Sequence, residues 1–256
     1  MRGHDASAAL CRRELEVLRC ARAVMCGSSQ LAHYAIRRGA RPSRVLVQPN
    51  AVDSRRFRPR QSDDALRREL VPQGRVALGF HGRLRPWHGL ELVARAASQL
   101  LREGVDLHLL LVGEGEFDAV LAGLVPRERV TRIGFHAHFD VARAIACFDV
   151  LALGSLHDQP YYYSPMKLCE AMACGVVPIV PRSGDLPSMV CDGIDGACYT
   201  PGDLADLVRA LRPIAADAGV RGRVAAAAIE RSRCTSWRDV ARTVIGLLGD
   251  ERGSAA

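Results

Sequence analysis

The sequence lacks the long apolar segments that membrane proteins need. Nowhere do about 20 apolar residues, the length of a membrane-spanning helix, follow one another without interruption. The first residues, MRGHDASAALCRRELE, contain no apolar core of a secretory signal peptide. We therefore expect a cytoplasmic protein whose contact with the inner membrane face would at most be peripheral.

The sequence also lacks cysteine pairs and acidic pairs with metal-binding spacing. None of its nine cysteines forms a C-x-x-C pair, and no D-x-D pair stands in a loop suited to Mg²⁺. Most of the cysteines lie in apolar segments, where a thiol behaves as a small hydrophobic group. We expect them to be reduced, and we predict neither a disulfide nor a metal site.

Lysine is scarce as well. The 35 Lys and Arg residues are nearly all arginine, and the formal net charge is +7 at pH 7. Guanidinium groups bind phosphate in a bidentate manner, so this charge suits phosphate recognition or loose contact with an anionic membrane surface. A GC-rich genome would also enrich arginine, so the charge alone discriminates little.

The sequence does contain a regular alternation of strands and helices. At 256 residues, 48% of them hydrophobic, the chain can bury one large core or two small ones. Alternation of this kind favours an α/β fold with a doubly wound, Rossmann-like parallel sheet. Apolar runs and helical periodicity predict strands at residues 44–48, 75–80, 107–112, 129–133, 149–153 and 176–180, and helices at 64–70, 88–101, 116–124, 137–147, 165–173, 204–211, 220–231 and 237–248.

Residues 164–180, SPMKLCEAMACGVVPIV, read as a helix followed directly by a buried strand. Ser164 and Pro165 are suited to the helix cap and the first helical position. Lys167 and Glu170 are three residues apart and share a face near the helix N-terminus. That terminus favours an anion, and the carboxylate could accept hydrogen bonds from a sugar diol. The alternative is an ordinary amphipathic helix with a solvated lysine and glutamate.

Small residues follow several of the predicted strands. Ligands of a doubly wound sheet bind beyond the carboxyl ends of its strands, so the loops that begin there should converge on one site. Gly82 and Arg83 follow the strand at 75–80, where glycine permits close backbone approach and an arginine fork can hold a diphosphate. Gly113 and Gly134 begin the loops after the next two strands.

Several segments resemble, in order, those of the nucleotide-sugar glycosyltransferases of GT-B fold. These are the retaining, family 4-like group 1 enzymes, whose donor domain carries an E-x7-E motif. Each segment is weak alone, and together they span about residues 24–248. They are VQPNAVD at 47–53, FHGRLRPWHG at 80–89, LLVGEG at 110–115, IGF at 133–135, SPMKLCEAMACGVVPIVPRSGDLPSMVCDGIDG at 164–195 and SW at 236–237.

The resemblance implies a complete donor domain and only part of an acceptor domain. Residues 12–23, 24–26 and 29–38 read as a helix, a strand and a helix that resemble the end of an acceptor domain. Without a sheet to join, we expect that strand to be exposed and liable to pair with another chain. The implied segments are an acceptor-domain remnant at 1–48, a connector at 49–74, a donor-binding Rossmann-like domain at 75–232 and a C-terminal helix and tail at 233–256.

The resemblance also implies the chemistry: transfer of a sugar from a nucleotide diphosphate sugar to an acceptor hydroxyl with retention, without metal or other cofactor. The acceptor, a glycan, a lipid-linked molecule or a small molecule, stays undetermined, and no nucleic acid is expected. The catalytic candidates are Arg83, His88, Lys167 and Glu170. Candidates for donor contacts are Gly82, Arg83, Gly113, Ile133, Gly134, Tyr162, Tyr163, Ser164 and Glu170, with His157 and Asp158 assisting.

Two positions depart from the family. His88 stands where the family usually has lysine and brings less positive charge, which Arg85 could supply. Tyr162, eight residues before Glu170, replaces the first glutamate of E-x7-E, which suggests altered sugar contacts. The tyrosines at 161–163 could hydrogen-bond and stack on a sugar, or they could pack against the missing domain.

Two other functions remain open. The chain could be a donor-binding subunit that a separate acceptor-domain partner completes, or a nucleotide-binding remnant without turnover.

Overall fold

The computed structural model describes residues 8–60, 65–115, 117–134, 140–156, 161–234 and 236–249. Contacts group the chain into two units. The smaller contains residues 1–50, 162–164 and 238–256, and the larger contains residues 51–161 and 165–237.

The smaller unit contains a pair of parallel strands. It comprises helix α1 (Ala8–Cys20), strand β1 (Val24–Cys26), helix α2 (Ser29–Arg37) and strand β2 (Val45–Val47). The strands pair from Val24 opposite Val45 to Cys26 opposite Val47. The expectation that residues 24–26 have no sheet to join is therefore wrong, because the strand predicted at 44–48 pairs with them.

The larger unit contains a six-stranded parallel sheet. Its strands are β3 (Val76–His81), β4 (Leu107–Val112), β5 (Val130–Ile133), β6 (Val150–Ala152), β7 (Val177–Pro181) and β8 (Ala197–Tyr199). The helices are α3 (Ala65–Leu70), α4 (Leu90–Arg102), α5 (Asp118–Ala122), α6 (Val141–Ile145), α7 (Met166–Ala173), α8 (Leu186–Met189), α9 (Leu204–Ala216) and α10 (Ala218–Ser232), followed by α11 (Trp237–Gly249), which from Arg238 onward belongs to the smaller unit.

The strand order is β5-β4-β3-β6-β7-β8, so the direction of winding reverses between β3 and β6. The sheet is buried on both faces, which explains the continuous apolar runs of its strands. In β4, for example, Leu109 and Leu111 pack into the cluster with α4 and α9, whereas Leu110 and Val112 pack into the cluster with α6 and α7. The predicted doubly wound parallel sheet is confirmed. Ligands of such sheets bind at the point where the order reverses.

Several predicted boundaries were wrong. β3 extends one residue beyond the predicted end, to His81, and α4 begins at Leu90 because a 3₁₀ turn occupies Pro86–His88. The four-residue α8 and the three-residue β8 were not predicted, since neither is long enough to show periodicity.

No helix in the described ranges is long and apolar enough to cross a membrane. All nine cysteines lie in the described part of the chain and are free thiols. Within those same ranges, no three His, Cys, Asp or Glu side chains are grouped as a metal site would require. The absence of a cofactor stays a prediction.

Gly79, in the middle of β3, leaves no room for a side chain. A Cβ at this position would lie 2.0 Å from Cγ of Phe148. We expect Gly79→Ala to destabilise the fold by about 1–3 kcal/mol or more, because the ring is buried and cannot yield freely. Urea unfolding measures this change in the free energy of unfolding. Gly222→Ala in α10 is the control, since a Cβ there meets no atom within 4 Å and should leave stability unchanged or raise it.

Candidate functional site

The loops after β3 and β6 touch at two glycines. A Cβ on Gly89, whose φ is +60°, would lie 2.5 Å from the backbone nitrogen of Ser155. A Cβ on Gly154 would lie 2.2 Å from the Gly89 oxygen. Only glycine allows this backbone contact, which fixes the two loops against each other at the point where the strand order reverses.

Lys167 lies directly against the first of these loops. A Cβ on Gly82, where φ is +115°, would lie 2.9 Å from Cε of Lys167. The Lys167 Nζ is 4.2 Å from the centre of the Phe80 ring. Burial lowers the pKa of Lys167 to about 8, although the Glu170 carboxylate opposes the shift. The structure thus brings together the first turn of α7 and the loop of Gly82 and Arg83, and Arg83 itself is exposed on that loop.

Glu170 lies one turn further along α7, beside a buried histidine. Its Oε2 is 3.6 Å from Nε2 of His81, and the two side chains are only 15% and 6% exposed. Burial raises the pKa of Glu170, while the charges of Arg56 and Lys167 lower it. Burial, followed by the charge of Lys167, lowers the pKa of His81 to about 3, so this ring is neutral at pH 7. Its Nε2 has no hydrogen-bond partner among the described atoms.

His88 is half-buried in the 3₁₀ turn rather than facing solvent. Its ring centre is 5.5 Å from that of Phe80. Burial lowers its pKa to about 4, and the charges of Lys167 and Arg85 add to this shift. The imidazole is therefore neutral at pH 7 and adds no positive charge to the loop. Its Nδ1 is buried and has no partner within the described part of the chain.

Backbone hydrogen bonds connect the first residues of the loops after β3 and β4 to the ends of the neighbouring strands. The Gly82 N–H donates to the Val112 oxygen at 2.8 Å, and the Gly113 N–H donates to the Ile133 oxygen at 2.7 Å. Gly113 has φ +140°, which few residues other than glycine adopt. Gly134 follows directly after Ile133. The loops that begin at Gly82, Gly113 and Gly134 therefore start side by side at this edge of the sheet, and their convergence on one ligand stays a prediction.

Three candidate residues belong to the smaller unit: Tyr162, Tyr163 and Ser164. The prediction that Ser164 caps α7 was wrong, because Pro165 occupies the cap position and the Ser164 Oγ accepts the Asn50 N–H at 2.9 Å. The two tyrosine rings meet edge to face at 5.4 Å and are 40% and 37% exposed. His157 and Asp158 lie outside the described residues.

The sequence interpretation missed His81, Phe80 and Arg56 as neighbours of the candidate site. His81 is the last residue of β3, directly before Gly82, so a strand predicted one residue longer would have placed it at the carboxyl edge of the sheet. The long-range approach of Arg56 to Glu170 left no signal in the sequence.

Comparison with known proteins bears on this geometry. The family model of the group 1 glycosyl transferases matches residues 75–217. The chain belongs to this family. One of its relatives, a D-inositol 3-phosphate glycosyltransferase of Stackebrandtia nassauensis, is 28% identical over 224 residues, which are 82% of this chain and 50% of the relative. The chain spans about half the length of the curated relatives it matches.

Solved structures of other proteins share its fold. The Anabaena protein HepE, crystallised in complex with UDP and glucose, superposes with a TM-score of 0.80 at 23% identity, covering 94% of this chain and 67% of that one. The C-terminal domain of LpcC, a group 1 glycosyl transferase from Francisella tularensis, superposes with a TM-score of 0.59 at 21% identity, covering 72% of this chain and 97% of that domain. The predicted GT-B donor-domain fold is confirmed.

Proposed function

We propose that this chain carries the donor site of a glycosyltransferase, which moves a sugar from a nucleoside diphosphate sugar to an acceptor hydroxyl with retention. The observation that carries the proposal is the contact of Lys167 with Gly82, with Glu170 on the same helix face. The uridine nucleotides bound to HepE support uridine as the first base to test.

The diphosphate is held by the Gly82 loop and α7. Lys167 supplies an ammonium group at the glycine, and Arg83 supplies a guanidinium on the same loop. These charges stabilise the negative charge that builds on the leaving diphosphate when the glycosidic bond breaks. The neutral His88 contributes at most a hydrogen bond.

The ribose is held by Glu170. Its carboxylate accepts hydrogen bonds from the two vicinal hydroxyls when ionised, and its partial burial makes each of these bonds stronger than in water. The backbone at Gly113, Ile133 and Gly134, at the carboxyl edge of the sheet, binds the base. The roles of Tyr162, Tyr163 and Ser164 as donor contacts stay predictions, as do metal independence, the cytoplasmic location and a peripheral membrane contact.

The pKa of Lys167 makes UDP binding depend on pH. A bound diphosphate favours the ammonium form and raises this pKa above its value of about 8. We expect the affinity to change little between about pH 7 and pH 8 and to fall by up to about tenfold per pH unit above pH 8, with proton uptake on binding in that upper range. Calorimetry in buffers of different ionisation enthalpy measures the uptake.

Lys167→Arg is the matched control for this experiment. Its guanidinium keeps its proton throughout this range, so both the pH dependence and the proton uptake should disappear. The assignment of Lys167 to the diphosphate fails if wild type and Lys167→Arg bind UDP with the same pH profile.

A second candidate function stays open because this chain covers only about half the length of its relatives. It is a donor-binding subunit that a separate acceptor-domain chain completes. A remnant that binds nucleotide without turnover is the third. Hydrolysis or transfer of the donor by the chain alone would rule out the remnant, and activity only after addition of the partner would support the subunit.

A further inference from the structure

The His81 ring is a polar group buried on an apolar face of the sheet. Side chains alternate along a strand, so His81 lies on the same face of β3 as Ala77 and Gly79. Ala77 and Leu168 of α7 belong to one hydrophobic cluster on that face. The Phe148 ring packs there as well, with its centre 6.3 Å from that of His81. A buried polar atom in such surroundings costs free energy unless it has a partner.

The polar side chain that faces the His81 ring is Glu170. The distance of 3.6 Å between Nε2 and Oε2 is just beyond the usual hydrogen-bond range of about 2.7–3.2 Å. Among the described atoms, Nε2 has no other partner that meets hydrogen-bond geometry. A shift of a few tenths of an ångström would therefore turn the contact into a hydrogen bond.

The neutral state of His81 suits it to hold a carboxylate. A neutral imidazole carries one N–H group, for which the Lys167 backbone competes with Glu170. An ionised carboxylate is the stronger acceptor, so it favours the tautomer with the proton on Nε2. Because the ring carries no charge, it orients the carboxylate without neutralising it. A carboxylate has about four acceptor sites, so one bond to His81 leaves enough for two hydroxyls.

We propose that His81 is a positioning residue of the donor site, which fixes the Glu170 carboxylate for the ribose hydroxyls of a nucleoside diphosphate. This inference rests on the proposed function of Glu170. Nucleotide binding shortens the 3.6 Å contact into a hydrogen bond that Nε2 donates to Oε2. Without His81, the Glu170 side chain would lose its rotamer freedom only on binding, which lowers the affinity.

The test separates the ribose contact from the diphosphate contact. Calorimetry compares UDP, GDP and ADP with their 2′,3′-dideoxy analogues, which lack both hydroxyls. The wild type should prefer the nucleotide with hydroxyls, and Glu170→Ala should remove the preference. His81→Leu should reduce the preference about tenfold and bind the dideoxy analogue as the wild type does. His81→Gln, which keeps an N–H donor, should restore part of the preference.

His108→Leu is the matched control, because His108 is also a buried histidine of the sheet. Burial lowers its pKa to about 4, and its Nε2 lies 2.8 Å from Oγ1 of Thr131. It pairs with Ala77, at the opposite end of β3 from His81. His108→Leu should keep the full preference for the hydroxyls, whatever its effect on stability.

His81→Leu places an apolar side chain on an apolar face and should fold, and His81→Met provides a second apolar variant without a donor. An unchanged preference in these variants, or equal weakening of both ligands, would overturn the role of His81 and leave that of Glu170 intact. A wild type that binds none of the nucleotides, or that does not prefer the hydroxyls, would overturn the proposed role of Glu170 and this inference with it.

Discussion

Glu170→Ala is expected to weaken UDP binding by about a hundredfold. In the proposed site, the substitution removes the carboxylate that accepts hydrogen bonds from the two ribose hydroxyls, and charge-assisted hydrogen bonds contribute about 1.5–3 kcal/mol each. It leaves Lys167 and the Gly82 loop unchanged, so the proposed diphosphate contacts would persist without the contacts that hold the nucleoside. In a thermal shift assay, nucleotides that raise the melting temperature of the wild type should leave that of Glu170→Ala nearly unchanged.

Glu69→Ala serves as the control for this prediction, because Glu69 is an exposed carboxylate on α3 in the same unit. It should keep the full nucleotide response. Testing UDP, GDP and ADP in parallel also identifies the base. Equal stabilisation of wild type and Glu170→Ala by the same nucleotide would remove Glu170 from the site.

Asp149→Ala is expected to cost about 3–5 kcal/mol of stability, as the loss of one member of a buried ion pair commonly does. The Asp149 carboxylate, 14% exposed, accepts hydrogen bonds from the Arg67 guanidinium and the Ala77 N–H, both at 2.7 Å. Arg67 is itself largely buried; burial lowers its pKa, and the Asp149 charge opposes the shift. Without the carboxylate, a buried guanidinium remains with no counter-charge beneath β3 and β6.

Urea unfolding tests this prediction against Asp106→Ala. Asp106 also pairs with two arginines, Arg129 and Arg75, but its side chain is 56% exposed, so we expect a loss below about 1 kcal/mol. The double variant Arg67→Leu/Asp149→Leu should be more stable than Asp149→Ala, because the buried Arg67 guanidinium is removed together with its counter-charge. Similar losses for Asp149→Ala and Asp106→Ala would contradict the account of the buried pair.

The sequence predicted those parts of the fold that depend on local pattern. Residues 107–112 and 176–180 are continuous apolar runs, which a strand buried on both faces requires, and both proved to be central strands. The meeting of Gly82 with Lys167 followed from the rule that loops converge at the carboxyl ends of parallel strands.

What the sequence did not predict depends on tertiary contact. Ser164 has the chemistry of a helix cap, but a hydrogen bond from Asn50, which is 114 residues away in sequence, uses its hydroxyl. β8 is a strand only because β7 pairs with it, from Ile179 opposite Ala197 to Pro181 opposite Tyr199. The position of His81 beside Glu170 likewise requires β3 and α7 to be packed together.

The central claim is that a nucleoside diphosphate lies against Lys167, and this side chain permits a direct test because it is the only lysine in the sequence. Its pKa of about 8 leaves a fraction of the amine uncharged and reactive near neutral pH. The measurement is the rate of acylation of Lys167 by an amine-reactive ester, followed by mass spectrometry with UDP, GDP or ADP, using the N-terminal amine as internal reference. We predict that one of these nucleotides slows the labelling of Lys167 and leaves the reference unchanged. Labelling of Lys167 at the same rate with and without every nucleotide would contradict the account.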